Sequence, residues 1–147
     1  MILPKTRDPR FITVRRGGTL SDEHHHLLAA WAADCAQHVL PLFEQIAPDD
    51  GRPANAIRLA RAWAKGDITM GQAHKAAFVA NAAARGQSDP AKYAALSAGQ
   101  AVAVAHVAAH ELGAAAYAIR AVRAAAPGLG QDTAGRLECK WQREQLP

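Results

Sequence analysis

From Thr19 onward, apolar positions recur every three or four residues along the 147-residue chain, the spacing of helices that each bury one face. Thr19-Leu20-Ser21-Asp22 opens the first helix, with Ser or Thr as the cap and acids suited to a first turn. Leu28, Trp31, Cys35, Val39, Leu42 and Ile46 then mark one buried stripe, and Pro41 inside it predicts a kink or a break. Ala47-Pro48-Asp49-Asp50-Gly51 reads as a loop. A second helix is expected from near Pro53 to Gly66, with Ile57, Ala60, Trp63 and Ala64 inward. Thr69 and Gln72 form a capping box for the third, Ile68 and Ala73 match a hydrophobic staple, and Gly86 suits the left-handed close after Arg85. Asp89-Pro90 caps the longest helical stretch, which runs to Ala126; Gly99 predicts a distortion that divides it. A last helix follows Asp132, with Leu137 and Trp141 on one face.

Residues 1–18 lack this rhythm. Pro4 and Pro9 bias their preceding residues to extended geometry. Phe11, Ile12 and Val14 offer a lone strand no partner, so they are expected to pack as a lid. The pattern therefore predicts an all-α protein: a five- to six-helix bundle (residues 19–147) with a non-helical basic N-terminal arm (residues 1–18), in a single domain spanning 1–147. Composition strengthens this. About a quarter of the residues are Ala, the strongest helix former and a weak strand former, and small side chains let helix backbones approach closely.

Charge, cysteines and apolar runs narrow the function classes. The net charge of +4 and pI of 9.4 permit an acidic partner, and Arg7, Arg10, Arg15 and Arg16 gather in the arm. No aromatic residues interleave with these arginines for base stacking, so nucleic acid is not indicated. Cys35 and Cys139 are far apart and make no disulfide framework, and Cys35 lies on the apolar stripe as a core residue. The first residues lack the charged and long apolar regions of a signal peptide, and His106, His110, Glu111, Arg120 and Arg123 interrupt the Ala-rich stretch. A cytoplasmic protein with no membrane segment is expected, and a homodimer is compatible with this composition.

Histidines carry the candidate chemistry. His24, His25 and His26 are consecutive, so they point roughly 100° apart and read as a solvated helix start. His106 and His110 stand four apart, and His106, His110, Gly113 and Tyr117 follow one inward stripe; the two histidines suit a divalent metal. Trp31, Asp34 and His38 share a stripe on the first helix, where an Asp–His pair at this spacing fixes a tautomer or supplies two ligands. The candidate pocket is Trp31, Asp34, His38, His106, His110 and Tyr117, against a ligand-free core network of the same residues. Arg10, Arg15 and Arg16 are candidate contacts for an anion or partner, and Arg15-Arg16-Gly17-Gly18 lacks the context of a P-loop. The Glu of HExxH is absent, which removes a zinc-protease reading.

Several segments together carry a resemblance: Asp8-Pro9-Arg10-Phe11, Arg15-Arg16-Gly17-Gly18-Thr19-Leu20, Leu28 to Ala36, Ala62 to Met70, His106 to Ile119, and Trp141 to Pro147. In them the chain resembles the immunity proteins of bacterial polymorphic-toxin systems, specifically the group called Imm-5-like, over nearly its whole length. The resemblance implies an all-helical cytoplasmic protein that protects the producing bacterium by binding a protein toxin, with Arg15, Arg16, Asp34, His106, His110 and Tyr117 inside family motifs. It implies no cofactor. An alternative is a bundle whose internal His/Asp/Tyr pocket binds a small molecule or metal, perhaps as an enzyme of self-resistance or natural-product tailoring; the leading reading is non-enzymatic.

Overall fold

The computed structural model describes residues 2–147. Among them, six α-helices follow the arm: α1 (Asp22–Glu44), α2 (Arg52–Ala64), α3 (Met70–Ala84), α4 (Ala91–Ala103), α5 (His110–Ala125) and α6 (Gln131–Glu144). The all-α bundle and the non-helical arm are both present. Helix α4 is the centre. Nine of its thirteen residues are buried, and it packs against α1, α2, α3 and α5, while α6 packs on α5. No side chain on that buried face is larger than Val, which is why four helices can crowd one another around it. The facing side of α3 is Ala73, Ala76, Ala77, Ala80, Ala83 and Ala84. Gly99 stands at the closest approach: a Cβ there would lie 3.2 Å from Asn81 Cγ and 3.4 Å from the Ala77 carbonyl oxygen.

Local signals act where they are strong. Thr69 and Gln72 make both bonds of the capping box, Ser21 Oγ accepts from the His24 N–H at 3.2 Å, and Gly66 and Gly86 take left-handed φ values of 81° and 80°. Ile57 and Ala60 point inward as expected. In the arm, short 3-10 turns at Pro9–Phe11 and Val14–Arg16 are separated by extended residues, and Asp8 caps the first by accepting from the Arg10 N–H. The arm folds back on the start of the bundle through bonds from Val14 N to Leu20 O, Leu20 N to Ile12 O and Thr19 N to Pro9 O, each 3.0 Å.

Four expectations need correction. Helix α1 runs through Pro41 to Glu44 without a break. Pro41 and Gln37 are both exposed, so the carbonyl that loses its donor is on the wet side of the helix. The long Ala-rich stretch divides at residues 104–109, not at Gly99, which is helical and buried. The Val104 carbonyl there accepts from the buried His25 Nε2–H at 2.6 Å, a tertiary bond in place of the next rung of the helix. Pro90, not Asp89, occupies the N-cap of α4, with no side-chain cap. On α6 the inward residues are Gly135, Glu138 and Gln142, while Leu137 is 62% exposed; Ile46, beyond α1, is also exposed.

Glu111 is buried in the first turn of α5, and its Oε2 has no partner among the described residues. Burial pushes its carboxyl from 4.5 up to about 8, so it keeps its proton at neutral pH. The folded state thus holds a proton that the unfolded chain releases. Stability is expected to fall as pH rises from about 4.5 to about 8, by up to about 1.4 kcal/mol per pH unit, and to level off above. Glu111→Gln is expected to flatten that slope in urea titrations across this range; an unchanged slope refutes the assignment. Gly99→Val is expected to cost about 1–3 kcal/mol by overpacking the α3–α4 contact, and a neutral effect would show that the helices can separate freely.

Candidate functional site

The candidate pocket residues fall in separate places. At the α1–α6 contact, Trp31 Nε1–H donates to the Gln142 carbonyl at 2.8 Å, and His38 Nδ1–H donates to Glu138 Oε2 at 2.8 Å. The His38 ring stacks on Trp141 with centroids 3.7 Å apart. Gln142 Nε2–H completes this network by donating to the Ala115 carbonyl and to Glu138 Oε1. Asp34 pairs with Arg61 of α2 at 2.8 Å, half-exposed, and lines one open surface groove with His38 and Trp141. Tyr117 lies beside Tyr93 and Arg120, whose guanidinium is 5.6 Å from the Tyr117 ring centre.

His106 and His110 do not share a helix, because His106 belongs to the 104–109 turn. His110 Nδ1–H donates to Gln100 Oε1 at 2.7 Å, and burial, followed by the positive charge of Arg7, lowers its pKa. His106 instead stacks flat on His74 of α3, with centroids 4.2 Å apart and planes 10° from parallel. Its pKa is also lowered, first by burial, then by His74, Arg16 and Arg7. Among the described residues no three His, Cys, Asp or Glu side chains converge to hold a metal. Trp31 Nε1, His38 Nδ1 and His110 Nδ1 each have a protein partner instead.

What does converge is the arm and one end of the bundle. A cleft of about 450 Å³ lies between the arm, the start of α1, the end of α2, the start of α3 and the 104–109 turn. Arg15, Arg16, His25, His26, Trp63 and His106 line it. Arg15 is paired with Asp22 at 2.8 Å, whereas Arg16 has no ion-pair or hydrogen-bond partner among the described residues for its side chain. His25 and His26 both set their edges against Trp63, with centroids 4.7 and 4.8 Å away. Arg10 is taken by Asp8, which it holds down to about 2, so it contributes to this end of the protein as a neutral pair. The sequence pointed to Arg15, Arg16 and His106 here, but not to Trp63 or His74. The consecutive spacing of His24, His25 and His26 suggests a solvated helix start, whereas His25 is buried.

A second feature escaped the pattern. The inward side of α3 is entirely alanine, and its large apolar residues face water: Met70 is 42% exposed, Val79 45% and Phe78 64%. Met70 borders the cleft, and the His74 ring lies 5.1 Å from that of Phe78. The signal was present as Met70, His74 and Phe78 at steps of four, a face with the bulk on the wrong side for a core.

Comparison with known proteins identifies a family. Residues 18–147 match the family described as Imm-5 like putative immunity protein, and the chain belongs to that family. The match starts at Gly18, so Arg7, Arg10, Arg15 and Arg16 lie outside the matched residues. No curated protein and no solved structure gives a significant match. No helix among the described residues is long and apolar enough to cross a membrane.

The α1–α6 network behaves as a structural staple. His38→Ala leaves the buried Glu138 carboxylate with only Gln142 and is expected to cost about 1–3 kcal/mol, against about 1 kcal/mol or less for Asp34→Ala at its half-exposed pair. Chemical denaturation distinguishes the two, and equal losses would refute the difference in burial.

Proposed function

We propose that this protein is a cytoplasmic immunity protein that protects the producing bacterium by binding a protein toxin directly, without catalysis of its own. Family membership supports the immunity role. The observation that carries the binding surface is the outward row on α3. Close packing accounts for the alanines on the inner side of α3, but it does not call for Phe78, Val79 and Met70 in water, where polar residues would serve a lone monomer as well. Large apolar anchors ringed by polar groups are what protein interfaces use at their centres. Lys75 and His74 flank the row, and Arg16 lies across the cleft that Met70 borders, so the matching toxin surface is apolar at its centre with acidic residues around it. This surface supports protein recognition better than the dispersed His/Asp/Tyr set supports an internal pocket.

Co-expression with the toxin encoded beside its gene tests the proposal. The native chain is expected to restore growth, and Phe78→Glu to abolish protection and weaken binding by about 30-fold or more, the size of a central anchor. Because Phe78 is exposed, its thermal midpoint should stay near the native value. Full protection by a folded Phe78→Glu variant would place the interface elsewhere.

A further inference from the structure

The cleft under the arm gathers more guanidinium and imidazole groups than toxin docking on α3 requires. Two guanidinium groups and three imidazoles line it, and the one carboxylate in its wall, Asp22, is already bound to Arg15. Arg16 is left as an uncompensated cation. His106 adds a buried ring nitrogen, Nδ1, with no partner among the described residues. The nitrogen groups do not come from one segment. Arg16 is carried by the arm, His25 and His26 by α1, and His106 by the turn that His25 itself holds open through the Val104 carbonyl. His74 stacks behind His106, and the Arg7 and Arg16 side chains line the surface beside the same ring, so the guanidinium groups supply the positive potential at this point.

We propose that this cleft is a binding site for a small phosphorylated molecule, its phosphoryl group held between Arg16, His26 and His106. A phosphoryl group offers several acceptor oxygens in a tetrahedral array, which suits donors arriving from separate elements, and Arg is the side chain best matched to it. A lone phosphate would leave most of the 450 Å³ empty, so the group carries a body, which Trp63 and Met70 supply with an apolar wall. Arg15 stays with Asp22 and closes the outer rim. The site adjoins the toxin surface without coinciding with it: Phe78 and Val79 take no part in it, while Met70 and Arg16 stand at the edge of both.

Isothermal titration of the full-length protein with inorganic phosphate, adenosine 5′-monophosphate and adenosine tests this directly. Phosphate and the monophosphate are expected to bind saturably at low ionic strength, the monophosphate more tightly, while adenosine does not bind. Arg16→Ala and His106→Ala are each expected to weaken both ligands by about tenfold or more. Arg16 is exposed, so its variant should fold as the native chain does. His106→Asn, which keeps a polar group, controls for local disturbance and is expected to lie between native and His106→Ala. Absence of saturable binding at millimolar phosphate overturns the proposal, as does binding that Arg16→Ala leaves undiminished. Equal affinity for phosphate and the monophosphate overturns the part played by Trp63 and Met70. Toxin protection that persists while phosphate binding fails would overturn this site alone and leave the α3 surface standing.

Discussion

The close approach of α4 to α1, α2, α3 and α5 is the constraint on which the rest of the structure depends. It requires small side chains wherever backbones meet, and alanine fills nearly all of those positions. Larger aliphatic and aromatic groups then have few interior places. Phe43, Ile57, Val39 and Val102 take the few wider gaps between helices, while Met70, Phe78 and Val79 are pushed to the surface of α3. Gly99 is the extreme case, since even a methyl group would press on Asn81 there. A core of this kind gains little per residue from hydrophobic burial, since the stabilisation scales with apolar area. It gains instead from close contact along many turns of helix.

Such a core cannot by itself fix the elements that pack at its edges, and buried polar bonds do that work. Trp31 and His38 tie α1 to α6 through Gln142 and Glu138, and Gln142 ties α6 again to the Ala115 carbonyl of α5. Ser97 joins α4 to the Ala114 carbonyl, and His25 holds the 104–109 turn. Directional bonds supply a register that interchangeable methyl groups do not. The same bonds engage Trp31 Nε1 and one ring nitrogen each of His38 and His110, which fixes the orientation of those side chains. The proposed binding surfaces accordingly lie at the arm-facing end and on the outer face of α3, where large side chains are exposed.

Membership of the Imm-5 like family and the exposed α3 row bear on one activity, recognition of another protein. The cationic cleft next to it is a different kind of surface, concave and charged where the row is convex and apolar. Met70 borders both, so the two features meet at one end of the molecule.

Much of the fold was legible in local sequence because it depends on neighbours within a turn. The Thr69–Gln72 capping box, the left-handed Gly66 and Gly86, the Ser21 cap and the inward Ile57 and Ala60 all follow from spacing and backbone chemistry. The candidate site was legible only in part. His106 and His110 looked like one helical stripe because nothing local reveals that the His25 ring, seventy-nine positions from Val104, takes the carbonyl at which the helix stops. Leu137 looked inward because a polar stripe of Glu138 and Gln142 reads as solvated until His38 and Trp31 arrive to satisfy it. The sequence alone determined that the chain is helical, where most helices begin and end, and that small residues line their contacts, because these are short-range properties. Which polar residues are buried, and which histidines meet the arginines of the arm, was decided only by tertiary structure, since burial of a charge or imidazole depends on partners that distant segments bring.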